Sequence, residues 1–168
     1  ALLFTDRVEK FIPPGKGRRH VLYIVRELLD FEPQGRRTNV GVAMEYLMRV
    51  MTKRSITFVL SDFLDTRSFD KPLQVASRKH DLIALRIYDP CMAELPDVGL
   101  IRVADAETGH EQYVDTSSRA VRRQLRQWWT DSQKHWEELF KRSGAGYAAI
   151  ATNGDFVKPL MNLFARRG

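Results

Sequence analysis

Asp62 is the residue of this chain best placed to do chemistry. It closes the run Arg54-Ser55-Ile56-Thr57-Phe58-Val59-Leu60-Ser61-Asp62-Phe63, a short apolar stretch that reads as a strand buried on both faces of a parallel sheet. A carboxylate at the carboxyl end of such a strand lies where open α/β sheets place their ligands. The plainer reading is that Asp62 caps a turn or the next helix. Asp62 and Asp65 could also be the paired carboxylates of a Mg²⁺-dependent phosphotransferase, but Asp-x-x-Asp is common in loops and the chain has no Gly-rich phosphate loop or P-loop. His20, His80, His110 and His135 lack metal-ligand spacing, and His80, just before an apolar run, reads as a structural hydrogen-bonding residue. Cys91 has no neighbouring histidine or base-orienting motif to make it a nucleophile. Trp128, Trp129 and Trp136 on a basic helix could stack bases, but Trp128 and Trp136 fall on that helix's apolar stripe and read as core. Asp89, Glu94, Asp105 and Glu107 mark turns.

A length of 168 residues suits one domain with a sizeable core, and 43% hydrophobic residues argue against disorder. The net charge of +6 and a pI near 9.7 point to an acidic partner, a nucleic acid or an anionic surface. The positive charges are spread along the chain without a basic tract, which favours a solvated basic surface over a nucleic-acid site. With one cysteine there is no intrachain disulfide, which fits a reducing, cytoplasmic setting. No apolar run approaches the roughly 20 residues of a membrane span. Association of a longer parent with a membrane stays open.

These residues must be positioned by alternating elements. Residues 2–4 and 8–12 read as short strands around Thr5-Asp6-Arg7, with Pro13-Pro14-Gly15 ending the second. Val21, Leu22, Ile24, Val25, Leu28 and Leu29 keep helical spacing up to Pro33 and Gly35. A second helix over 39–51, starting at Thr38-Asn39, puts Ala43, Tyr46, Leu47 and Val50 on one face. After the strand ending at Asp62, residues 70–79 read as a helix with Pro72 in its first turn, and 81–88 as a second buried strand. That order implies parallel pairing through a right-handed crossover. Residues 99–104 and 111–114 flank a hairpin tip at Glu107-Thr108-Gly109. A long helix spans 118–142, with Val121, Leu125, Trp128, Trp136 and Leu139 as its stripe and Arg119, Arg122, Arg123 and Arg126 on the remaining surface. A strand over 146–152 and a helix to residue 164 complete the chain.

This order carries a resemblance. The segments Phe4-Thr5-Asp6-Arg7-Val8-Glu9, Ile12-Pro13-Pro14-Gly15-Lys16-Gly17-Arg18, Arg26-Glu27-Leu28-Leu29, Arg37-Thr38-Asn39, Leu60-Ser61-Asp62-Phe63, Arg78-Lys79-His80-Asp81 and Asp105-Ala106-Glu107-Thr108-Gly109 together resemble the carboxyl-terminal part of the bacterial domain of unknown function 58 family. That family is similar to the von Willebrand factor type A domain. The resemblance implies an α/β, Rossmann-like, doubly wound and mostly parallel sheet with helices on both faces, as one domain over residues 1–168. It also implies a metal-ion-dependent adhesion site built from an Asp-x-Ser-x-Ser loop, a threonine matched by Thr38 and an aspartate matched by Asp62. A hard cation such as Mg²⁺ takes about six oxygen ligands and, held by hydroxyls and few carboxylates, stays electrophilic enough to accept a partner's acidic side chain.

The sequence departs from the pattern in two places. No Asp-x-Ser-x-Ser occurs, and Asn39 follows the threonine where an aspartate is frequent. Thr38 and Asp62 are therefore an incomplete pair. No Mg²⁺ is expected on these residues, whereas a full-length parent carrying the missing loop could hold one. Ala1-Leu2-Leu3-Phe4 is already strand-like, so the chain is expected to begin inside the fold, lacking its first strand and helix. The two strands left beside that gap are then expected either to pair directly or to take a strand from another molecule, giving a homodimer.

The resemblance implies a non-enzymatic protein-interaction module whose strand-end face receives a MoxR-type AAA ATPase, in chaperone-like assembly or activation of other proteins. The alternatives are a Mg²⁺-dependent phosphoester hydrolase using Asp62, and nucleic-acid binding by the basic surface.

Overall fold

A computed structural model describes residues 1–64, 67–105 and 107–165. The elements follow in the order β1 (Leu2–Phe4), β2 (Val8–Phe11), α1 (Arg18–Leu29), α2 (Val40–Val50), β3 (Ile56–Ser61), α3 (Asp70–Lys79), β4 (Asp81–Tyr88), α4 (Pro90–Ala93), β5 (Leu100–Ala104), β6 (Glu111–Asp115), α5 (Arg119–Ser143), β7 (Gly146–Ala151) and α6 (Val157–Ala165). The protein is a mixed α/β fold around a parallel sheet of order β3-β4-β7, with two separate antiparallel hairpins, β1-β2 and β5-β6.

Parallel register puts Val59 beside Ala84 and Ser61 beside Arg86. Alternation along β4 divides the interior. Leu82 and Ala84 join Val59, Val40 and Met44 of α2, Leu73 and Ala76 of α3, and Leu139 and Phe140 of α5 in the larger core. Ile83 and Leu85 turn the other way, toward Ile150 of β7 and Leu163 of α6. Helices thus cover both faces, as a buried parallel strand requires.

The cover stops at β3. Among the described residues this strand pairs with β4 alone, and Ile56, Phe58 and Leu60 on the face opposite Val59 are 64%, 45% and 57% exposed. The expectation of a strand buried on both faces is corrected here: Val59 lies in the core, but among the described residues β3 is an edge strand whose other face is largely exposed, with Phe58 edge-on to Phe164 of α6 at 6.4 Å between ring centroids. An uninterrupted apolar run does not say which strand of a sheet is outermost. Likewise, β1 and β3 do not pair among the described residues, so the expected direct closure between them is not what the chain adopts. Both still serve the same core, because Phe4 packs against the cluster that contains Val59.

In α5 the buried tryptophan is Trp129, whereas Trp128 is 43% exposed, which corrects the apolar stripe by one residue. Trp129 packs on Tyr88, with ring centroids 4.6 Å apart. Trp136 stacks on Phe69 at 5.8 Å, as a core residue should. Two of the α5 arginines are tied down. Arg122 pairs with Asp97 at 2.9 Å and Arg126 with Glu94 at 2.8 Å. The amphipathic α1 has no buried residue.

Candidate functional site

The carboxyl end of β3 leads into a short turn fixed by three hydrogen bonds. The Phe63 N–H donates to Ser61 Oγ at 3.0 Å, the Leu64 N–H donates to Asp62 Oδ1 at 3.2 Å, and Arg86 Nε donates to the Asp62 carbonyl at 3.2 Å. Phe63 adopts φ 54, the left-handed region that a bulky side chain seldom enters. Its ring explains the tolerance: it is fully buried, with centroids 5.1 Å from Phe140, 5.9 Å from Trp136 and 6.2 Å from Phe69. Aromatic packing thus offsets the backbone strain and leaves the Asp62 side chain exposed at the strand end. Asp62 thus caps the turn after β3, as the plainer sequence reading expects.

Thr38 is half-buried immediately before α2. The loop that carries it is anchored to the β1-β2 turn. The Asn39 N–H donates to the Thr5 carbonyl at 3.0 Å, and the half-buried Glu9 carboxylate accepts from Thr5 Oγ1 at 2.8 Å and from the Gly35 N–H at 2.9 Å. These hydrogen bonds, led by Thr5, hold the Glu9 carboxyl below the usual glutamate range. Gly35 is required there because a β-carbon would collide with the Thr5 side chain. Asn39 then caps α2, its Oδ1 accepting from the Val42 N–H at 3.2 Å. At Gly41 a β-carbon would lie 3.6 Å from the side chains of Phe69 and Pro72. The start of α2 therefore abuts the start of α3, whose Phe69 contacts Phe63 beside Asp62. A chain of contacts thus links the loop of Thr38 to the turn of Asp62.

Thr38 and Asp62 supply two oxygen donors, one of them neutral, of the roughly six that Mg²⁺ takes. Among the described residues no group of three or more His, Cys, Asp or Glu converges. Asp65 lies outside the described residues. Two surface concavities, one lined by Asp70, Leu73, Gln74, Leu139, Arg142 and Ser143 and the other by Glu45, Met48, Arg49, Lys71, Pro72 and Val75, include neither Thr38 nor Asp62.

The remaining candidates are structural. His80 is buried, its Nδ1 3.1 Å from Ser55 Oγ, and burial lowers its pKa. Cys91 is exposed, and the adjacent Asp89 pushes its thiol pKa up, the wrong direction for a nucleophile. Asp89 caps α4 by accepting from the Cys91 N–H at 2.8 Å. Asp105 accepts from the N–H groups of Thr108 and Glu107 at the hairpin tip.

Sequence reasoning passed over Arg86, a fully buried arginine at the level of Ser61 whose guanidinium carbon lies 4.3 Å from the Trp129 ring centroid. The signal was present, as a lone cation inside the run Leu82-Ile83-Ala84-Leu85-Arg86-Ile87.

Comparison with known proteins agrees with this arrangement at the level of fold and family. The crystal structure of the conserved hypothetical protein BatB from Bacteroides thetaiotaomicron superposes with a TM-score of 0.57 over 98% of this chain and 76% of that one, at 14% identity. Uncharacterized protein Rv1480 of Mycobacterium tuberculosis is 32% identical over 111 residues, 65% of this chain and 35% of that protein. Uncharacterized protein MAV169 of Mycobacterium avium is 31% identical over 100 residues, 58% of this chain and 59% of that protein. The chain spans about a third of the length of the first of these relatives and somewhat over half of the second. Residues 1–135 match the family described as protein of unknown function DUF58, and the chain belongs to that family.

Proposed function

We propose that this protein is a von Willebrand factor A-like interaction module that docks another protein on the strand-end face carrying Asp62 and Thr38. The observation that carries the reading is the presentation of Asp62. Its carboxylate is exposed, on a turn held by Ser61, Arg86 and the buried Phe63 ring. A side chain held outward on a rigid support loses little freedom on binding, which favours recognition of a partner surface. The partner proposed from the family resemblance is a MoxR-type AAA ATPase, in chaperone-like assembly or activation of other proteins, in the cytoplasm. Among the described residues no helix is long and apolar enough to cross a membrane.

The reading is tested with the immobilised chain and a purified MoxR-type ATPase. Asp62→Ala is expected to weaken binding by about tenfold, the scale of one lost charged contact, and Thr38→Ala by less. Equal affinity of wild type and both variants, or no binding by the wild type, contradicts it.

A further inference from the structure

Among the described residues Arg86 is the largest fully buried side chain, and it is a cation. Nε is satisfied by the Asp62 carbonyl at 3.2 Å and the Trp129 ring supports one face, yet among the described residues Nη1 and Nη2 have no hydrogen-bond partner. The Tyr147 phenol feels the guanidinium charge without hydrogen-bonding geometry to either terminal nitrogen. Tyr147 instead donates its own proton to Gln133 Oε1 at 2.7 Å, and burial pushes its pKa up to about 12. A buried lysine in this position could shed its proton, but a guanidinium keeps its charge. Leaving two donors of a buried cation unmet is costly, and the stacked indole repays only part of that cost.

The groups around Arg86 suit an anion. A guanidinium with both terminal nitrogens free presents the fork that binds carboxylate and phosphate oxygens in bidentate fashion. It stands at the carboxyl end of β4, beside the turn after β3, where sheets of this kind receive ligands. The turn it holds also carries, alone among the described residues, a non-glycine at positive φ, Phe63 at φ 54.

We propose that Arg86 is the receiving group of an oxyanion site. A carboxylate or phosphate group enters past the turn at residues 62–64 and is bound by Nη1 and Nη2, with Trp129 as the floor. The site is independent of which macromolecule docks on the strand-end face, because it requires only the guanidinium and its surroundings.

The experiment measures the thermal midpoint of the chain, and the arginine side-chain N–H resonances, in chloride, inorganic phosphate and acetate at constant pH and ionic strength. The wild type is expected to gain about 3–5 °C at ten times the half-saturating oxyanion concentration, with a saturable shift of the Arg86 resonances. Response to phosphate alone assigns a phosphoryl group, to acetate alone a carboxylate, and to both the shared chemistry. Arg86→Met keeps the stem and removes the charge, so it should fold at least as stably in chloride and lose the response. An oxyanion response undiminished in Arg86→Met, or a wild type indifferent to both oxyanions, overturns the proposal. Should Arg86→Met fail to fold, the wild-type resonances decide: unmoved signals overturn it.

Discussion

His80 illustrates how one buried side chain couples stability to pH. It stands at the junction of α3 and β4, with its imidazole Nδ1 bonded to Ser55 ahead of β3 and burial disfavouring its charged form. Because the folded-state pKa lies below the ordinary 6.5, the unfolded chain takes up the proton first as pH falls. The stability is therefore fully present above about pH 7 and declines as pH drops through and below 6.5, levelling once the folded state also protonates. Urea unfolding of the wild type from pH 8 to pH 5 should show this decline, and His80→Asn should flatten it. An equal slope in both proteins would place the dependence elsewhere.

Metal binding belongs to the same scale. Thr38 and Asp62 give two oxygens, so calorimetric titration with Mg²⁺ or Mn²⁺ is expected to show no binding in the micromolar range. Tight binding would mean that further ligands close on the ion. Of the individual residues, the sequence made the strand-end place and turn-capping role of Asp62, the hydrogen-bonding role of His80 and the capping role of Asn39 legible, because strand ends, pre-strand histidines and helix starts have local signatures. The Glu9 carboxylate that anchors the Thr38 loop escaped notice, since its partners Thr5 and Gly35 meet only after the chain folds back.

Among the elements, β3 was read correctly in extent and wrongly in place. Its six residues hold no charge or proline, so they look the same as a central strand. Only tertiary structure shows that one side is largely exposed. The two faces should answer differently to mutation. Val59→Asp puts a carboxylate into the core and is expected to cost more than about 4 kcal/mol, which would abolish soluble expression. Phe58→Lys, on the exposed side, should cost less than about 1 kcal/mol by urea unfolding. A normal folded yield of Val59→Asp would mean that the core assignment of this strand is wrong. The other helices and strands matched the periodicity within a residue or two, α3 and β4 most closely. The exception is α4, a single turn nucleated by Asp89 and Pro90 that is too short for periodicity to reveal.

At the level of the whole molecule, the β3 edge, unpaired among the described residues, lies beside an exposed apolar row, without the lysine or proline that usually blunts such edges. The chain is expected to self-associate through this edge. Light scattering should detect a dimer that Phe58→Lys disperses. In a Cys91→Ser background, cysteines at Leu3 and Phe58 should crosslink between molecules, since β1 and β3 do not pair within one. A clean monomer with no crosslink would contradict this. Alternation of elements made the α/β architecture legible, whereas the separation of the β1-β2 hairpin from the parallel sheet depends on which strands meet and leaves no mark in local sequence.

The central claim is that partners dock on the strand-end face. Hydrogen exchange of the chain, alone and saturated with a MoxR-type ATPase, tests it most directly. Slowed exchange is expected at the Phe63 and Leu64 amides and at the start of α2 around Asn39. Slowed exchange confined to α1 or to the β3 edge, with the strand-end amides unchanged, would contradict it.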